Sequence, residues 1–287
     1  MLGPYVDHYL VPKRGSTSEQ CEDAIEFSAG VGPDRQTPDP IVVVVCDGAS
    51  ESMLAGAWAG QLAARVVKQA AAHPGFAARR GGLAEAICAA AWAWADWTEG
   101  YVADRVAAGR PIAWYEQPKL EQGAYSTVLA IELVPVRPRP GAGDDMMIVA
   151  DMVTEPKEWS WYAAALGDTC LFQVRDEQLV SAFPLDDAAA FSASPALAGS
   201  RNRDLAQLSA HTVLASGSCM PGDQVFLATD ALAAWFLAEV GRGARPWTRL
   251  RDFAGRGQEE FAPWVEKQRS EHRMRNDDVA LVHIDFG

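Results

Sequence analysis

The sequence predicts an α+β fold, on three observations. Ile41 to Cys46 is an unbroken apolar run, five of its six residues β-branched, which marks a strand buried on both faces. Two Ala-rich stretches, residues 53–72 and 82–108, carry polar residues at helical spacing and mark long helices. Short apolar strands recur through the rest of the chain, and several begin or end in aspartate.

Taken in order, residues 1–20 are mixed and give no clear element, ending in the polar run KRGSTSEQ. CEDAIEFS (21–28) sets Glu22 and Asp23 side by side at the entrance of a short strand near 24–28. VGPDRQTPDP (31–40) is a loop by its Pro, Gly and Asp content. The apolar run 41–46 then delivers Asp47 and Gly48 to its end. The helix from about 53 to 72 has Ser50 or Ser52 as candidate caps and is stopped by Pro74-Gly75. The second helix carries Trp92, Trp94 and Trp97, which are expected to pack in the core because tryptophan buries so much area.

GAYSTVLAIEL (123–133) is a strand, and PVRPRPGAGDD (135–145) a loop. MMIVADMV (146–153) and WSWYAAALG (159–167) read as further strands. The second runs into Gly167-Asp168-Thr169 and then a strand, a turn at 175–177 and another strand. Residues 183–220 show weak periodicity and no placeable element. DQVFLATD (223–230) is a strand ending in Asp230, followed by the helix ALAAWFLAEV and a second helix over about 247–270. Asn276, Asp277 and Asp278 precede a closing, alternating strand. No boundary or repeat divides the 287 residues, so one domain is expected.

The formal net charge of −13 disfavours nucleic acid and anionic membrane as partners. The five cysteines, Cys21, Cys46, Cys88, Cys170 and Cys219, are scattered, odd in number and without a C-x-x-C, which points to buried thiols in a reducing compartment. The first fifteen residues have no apolar h-region, and no stretch has the length of a membrane span; a cytoplasmic protein is expected.

The chemistry lies in the strand-end acids. Asp23, Asp47, Asp230 and Asp277 share one layout, and Asp168 sits in a Gly-Asp-Thr turn. One such acid is an ordinary turn residue. Several brought together by one sheet or sandwich form an oxygen-rich site suited to hard divalent cations. Two cations about 3.5–4 Å apart polarise a phosphoryl oxygen and supply hydroxide for in-line attack. Ser50 suggests a nucleophile elbow, but Gly48-Ala49-Ser50-Glu51-Ser52 lacks the final glycine of G-x-S-x-G. A haloacid-dehalogenase-type phosphatase places a second Asp where this chain has Ala49.

The ordered series CEDA (21–24), VVVCDGAS (43–50), GAYSTVLAI (123–131), GDTCLF (167–172), FLATDAL (226–232) and NDDVALVHI (276–284) resembles the PPM/PP2C family of metal-dependent serine/threonine protein phosphatases, its divergent bacterial branch above all. The resemblance implies an αββα sandwich of two mostly antiparallel sheets with helices outside. It implies two core Mn²⁺ or Mg²⁺ ions and a weaker third. By the resemblance Asp47 bridges the core ions, the Gly48 carbonyl is a ligand, Asp230 and Asp277 serve the core site, and Asp23 acts directly or through water. Asp168 serves the third ion, and Asp47, Asp230 and Asp277 are the catalytic set. The implied partner is a phosphorylated protein, in a pathway with a Ser/Thr kinase, acted on by a monomer. The leaving alkoxide would take its proton from a histidine or from water; His8, His73, His211, His272 and His283 sit in no motif.

Three departures stand out. The family's Thr-Asp-Gly is Thr229-Asp230-Ala231, and alanine avoids the positive φ that glycine permits. Ser18 falls about where eukaryotic members carry a phosphate-contacting arginine, with Lys13 and Arg14 nearby but off register. DGASES replaces the usual glycine pair after Asp47. These departures motivate an alternative: a PPM-fold module that binds and regulates without turnover.

Overall fold

Alternation within a single strand builds the layers. In the computed structural model, which describes residues 3–31, 36–136, 158–191 and 194–287, the apolar run forms β3 (Ile41–Gly48), preceded by β1 (Tyr5–Val11) and β2 (Asp23–Phe27). Val43 and Val45 face inward into a core shared with Leu129, Leu171, Leu227 and Val282. Val42, Val44 and Cys46 face outward onto Trp58, Leu62 and Val66 of α1 (Ala55–Ala72). Each of those five residues is at most 5% exposed, and complete burial of one such side chain contributes about 1.5–3 kcal/mol.

The remaining elements are α2 (Gly82–Ala107), α3 (Gln117–Gln122), β4 (Tyr125–Pro135), β5 (Trp159–Leu166), β6 (Cys170–Arg175) and β7 (Gln178–Phe183). They continue with β8 (Ala198–Gly199), α4 (Leu205–His211), β9 (Val213–Cys219), β10 (Gln224–Ala228), α5 (Asp230–Gly241), α6 (Pro246–Arg251), α7 (Gln258–Ser270) and β11 (Val279–Asp285). One sheet runs β1-β11-β10-β6-β7; the other runs β2-β3-β4-β5-β9, with β8 paired to β4. All pairings are antiparallel. The two sheets pack face to face. Helices α1 and α2 cover one outer face, and α5, α6 and α7 cover the other, where Phe172 and Phe236 stack at 4.1 Å.

Several expectations are corrected. The helix foreseen over 247–270 is two helices, because Gly255 and Gly257 adopt positive φ (70° and 79°) and turn the chain between them. The unplaced stretch 183–220 holds β8, α4 and β9. Strand β9 is an edge strand with most residues exposed, so it lacks the apolar alternation that marks a strand. Helix α4 is capped by Asp204, whose carboxylate accepts from the Gln207 N–H at 2.9 Å. Residues 5–11, read as mixed, form the edge strand β1. Trp94 is buried against Trp58 and Trp97 as expected, but Trp92 is exposed and carries Arg203 over its ring at 3.6 Å. The strand expected at 146–153 and most of the loop 135–145 lie outside the described residues. Among the described residues no helix is long and apolar enough to cross a membrane.

Candidate metal centre

The antiparallel register of β2 and β3 sets Asp23 directly opposite Asp47, so both side chains share one face of the sheet. Gly48 follows. A Cβ there would lie 2.6 Å from the Glu22 carbonyl oxygen and 3.0 Å from the Ala55 backbone, so crowding demands glycine at this position. Asp168 comes from the turn between β5 and β6, Asp230 opens α5 at the end of β10, and Asp277 immediately precedes Asp278 and β11. The two sheets are stitched together here by Thr229. Its buried hydroxyl donates to Asp23 Oδ2 at 2.8 Å and accepts from the Ala280 N–H at 2.8 Å.

Electrostatics show that these acids share one end of the sandwich. Burial holds the Asp23 carboxyl well above the usual range, against the Thr229 hydrogen bond; Asp278, Asp230 and Asp277 add to the rise. Burial does the same to Asp47, reinforced by the charges of Asp23, Asp230, Asp277 and Asp168. Asp168 is pushed up to about 6 by burial and Asp230, with Arg275 opposing. Asp277 is raised by burial and Asp230, with Lys13 opposing. Buried like charges of this kind are costly unless cations join them.

The donor set is therefore all oxygen, and one of its atoms, Asp230 Oδ1, is buried without a hydrogen-bond partner. That chemistry suits Mg²⁺ or Mn²⁺. The spacing is open, however: among the described residues no three His, Cys, Asp or Glu side chains stand close enough to hold an ion as they are. Protein cations occupy part of the site instead. Arg275 Nη2 lies 2.5 Å from Asp230 Oδ2, and Lys13 Nζ lies 2.5 Å from Glu22 and 3.9 Å from Asp278. The oxygen donors fit divalent ions, which would be held by Asp23, Asp47, Asp168, Asp230, Asp277 and the Gly48 carbonyl.

The sequence reading missed four residues. Asp278 is a staple: its carboxylate accepts from the Lys13 N–H at 2.6 Å and the Glu22 N–H at 2.9 Å, fixing the β1–β2 connection against β11. Glu22 turns away from the acids and bonds Lys13 and Ser50. Thr229 and Arg275 have the roles described above. The signal for Arg275 was present in the basic run Arg273-Met274-Arg275 just before Asp277. Ala231 lies in the first turn of α5, in right-handed helical backbone, so it has no need of the positive φ that glycine permits. Burial holds the Cys170 thiol up to about 12, which keeps it protonated at neutral pH.

No family model matches the sequence, and no curated protein matches it. Solved structures do match over nearly the whole chain. The catalytic domain of serine/threonine protein phosphatase PstP, in complex with two manganese ions, is 14% identical over 98% of each chain, with a TM-score of 0.51. Serine/threonine phosphatase Stp1 from Staphylococcus aureus is 10% identical over 100% of this chain and 97% of that one, with a TM-score of 0.54. The photosystem II phosphatase PBCP is 12% identical over 99% and 98%, with a TM-score of 0.52. With two antiparallel sheets packed face to face between layers of helices, the chain has the fold of the PP2C-type phosphatases.

Proposed function

We propose that the chain is a single PP2C-like domain, residues 1–287, that hydrolyses phosphoserine and phosphothreonine in proteins with Mn²⁺ or Mg²⁺. The observation that carries this reading is the gathering of five carboxylates from both sheets at one end of the sandwich, with too little positive charge around them. Asp47, the Gly48 carbonyl, Asp230 and Asp277 would hold the two core ions, and Asp23 would act directly or through water. Asp168 would hold a third ion. When bound, the ions supply charge neutralisation for the phosphate and an activated water. The protein supplies position: the Thr229 hydroxyl fixes the Asp23 carboxylate, the β2–β3 register fixes Asp23 against Asp47, and Asp278 holds the β1–β2 connection in place. Little covalent work is left to side chains in such a reaction. The substrate would be a phosphoprotein produced by a Ser/Thr kinase, met by a cytoplasmic monomer.

The test is hydrolysis of a phosphothreonine peptide with Mn²⁺ or Mg²⁺. Asp47→Asn is expected to lower turnover by about a hundredfold or more, the scale on which loss of a preorganised charge-stabilising group is felt. Asp168→Ala should impair turnover while two ions remain visible at the core by anomalous scattering from a Mn²⁺-soaked crystal. Absence of metal-dependent turnover in the wild type would overturn the enzyme reading in favour of a regulatory module.

A further inference from the structure

Beside the acid cluster lies its electrostatic opposite. An open concavity of about 470 Å³ is lined by Arg14, Arg269, His272, Arg273 and Arg275, and among the described residues no carboxylate lines it. This is unexpected in a chain with 38 acidic and 25 basic residues. The turn between α7 and β11 builds it. His272 takes a positive φ of 55°, and the residues after it, Arg273 to Asn276, form one wall. Arg14, from the β1–β2 connection, and Arg269, from the end of α7, form the rest.

The concavity and the acid cluster share a wall. Arg275 lines the former and bonds Asp230 in the latter, and Arg269 Nη2 donates to the Asp277 carbonyl. The charge is only partly spent inside the protein. Arg14 pairs with Glu266 and Arg273 with Glu239 at 3.0 Å, but both guanidiniums are more than 40% exposed. Exposed pairs contribute little, and the guanidinium fork has donors to spare for an incoming anion. Arg269 is nearly buried, gives its Nη atoms to the carbonyls of Pro12 and Asp277, and has one carboxylate within 4 Å, Glu266 at 3.8 Å. Its Nε has no acceptor among the described residues. The floor of the concavity therefore carries a guanidinium whose nearest carboxylate stands 3.8 Å away and whose donors are spent mainly on backbone carbonyls.

We propose that this concavity is a substrate subsite that receives an anionic side chain flanking the phosphorylated residue, so that the protein selects acidic phosphopeptides. The assignment rests on the phosphatase reading for its substrate. A peptide lying across the Arg275–Asp230 wall would present its phosphate to the acid end, where the ions bind, and a neighbouring carboxylate or second phosphate to the arginines. Arginine favours such planar, two-point recognition of either group.

The experiment uses the whole chain and three phosphothreonine peptides of one length. Their flanking residues are glutamine, glutamate, or a phosphoserine two positions away. Affinity is read by fluorescence anisotropy with Mn²⁺ and non-hydrolysable phosphonate analogues of the three peptides, which needs no turnover, and kcat/KM is read with Mn²⁺ on the phosphopeptides themselves. The glutamate peptide is expected to bind about fivefold tighter than the glutamine peptide, which is about 1 kcal/mol at 1.4 kcal/mol per decade. The phosphoserine peptide shows whether phosphate is preferred to carboxylate. The preference should fade at 1 M salt, where the screening length falls to about 3 Å. Arg273→Ala with Arg14→Ala should bring the glutamate-to-glutamine ratio to about one, and Arg273→Lys should restore part of it. A wild-type ratio near one, or a ratio unchanged in the double variant, overturns the subsite. Absence of turnover with the binding preference intact would overturn the phosphatase reading and leave the subsite standing.

Discussion

The two ends of β10 treat buried acid in opposite ways. At its start Asp223 is 1% exposed, and Arg175, Gln173 and the Met220 N–H all donate to its carboxylate. Burial pushes this carboxyl up, but those donors outweigh it and hold it below the usual range. At its end, Asp230 joins Asp23, Asp47, Asp168 and Asp277, whose carboxyls all stand above the usual range. The same strand thus links a closed, self-sufficient acid to an open set that awaits positive charge. One end contributes to folding, and the other holds a cost that Arg275 and Lys13 offset only in part and a bound cation would offset further.

Paired substitutions break or sharpen that contrast. Asp223→Ala strands Arg175 and should cost about 3 kcal/mol, the lower end of what breaking a buried pair costs, since Arg175 keeps some solvent contact. Asp47→Asn in metal-free protein should do the reverse, raising stability by about 1 kcal/mol through relief of like-charge repulsion. Urea unfolding of both variants reads this directly. Equal destabilisation by the two would erase the distinction between the ends. Mn²⁺ should raise the melting temperature of the wild type and lose most of that effect in Asp47→Asn, because a ligand stabilises only the state it binds.

The ends also titrate with opposite sign. Asp223, depressed, contributes stability that is present above its unfolded pKa and lost as pH falls below about 4. Asp168, raised to about 6, costs stability above pH 6, and that cost disappears as pH falls from 6 toward 4. A third group cuts across this window. His283 is buried in the sheet, stacked on Phe226 at 4.7 Å, and burial lowers it to about 4. It must stay neutral to remain folded, so stability falls between pH 6.5 and 4 by up to about 1.4 kcal/mol per unit. In His283→Phe, metal-free protein should therefore become more stable from pH 7 to 5, and Asp168→Asn on that background should flatten the rise. A profile that Asp168→Asn leaves unchanged would count against the repulsion.

How much of this was legible in the sequence follows from what kind of signal each feature leaves. Strand β3 announced itself because burial on both faces demands an unbroken apolar run, and Asp47 was visible because it terminates that run. Asp23, Asp230 and Asp277 stood out the same way, as acids at the ends of apolar strands, and Asp168 by its Gly-Asp-Thr turn. Strands β1 and β9 were lost because edge strands keep one side in water and so blur the alternation. Asp278 was missed, since nothing in Asn276-Asp277-Asp278 says that its carboxylate faces two backbone N–H groups more than 250 residues away in sequence. Thr229 was invisible as a stitch between sheets for the same reason: a partner remote in sequence leaves no local pattern. The basic concavity draws on residues 14 and 269–276, which only the fold brings together.

The smallest expected effect bears on the departure that seemed most serious in the sequence. Ala231 replaces the glycine of the family pattern next to an acid of the cluster, and a backbone that required positive φ would have put Asp230 itself in doubt. The residue is instead helical and buried in the first turn of α5, so alanine is the better residue for the conformation it has. Ala231→Gly should cost up to about 1 kcal/mol in stability. It should change turnover of a phosphothreonine peptide by less than about threefold, since the position of Asp230 is set by β10 and by Thr229 rather than by glycine's freedom. A rise of tenfold or more in Ala231→Gly would mean that the active backbone at this turn differs from the helical one, and that closing the site around its ions requires α5 to unwind by a residue.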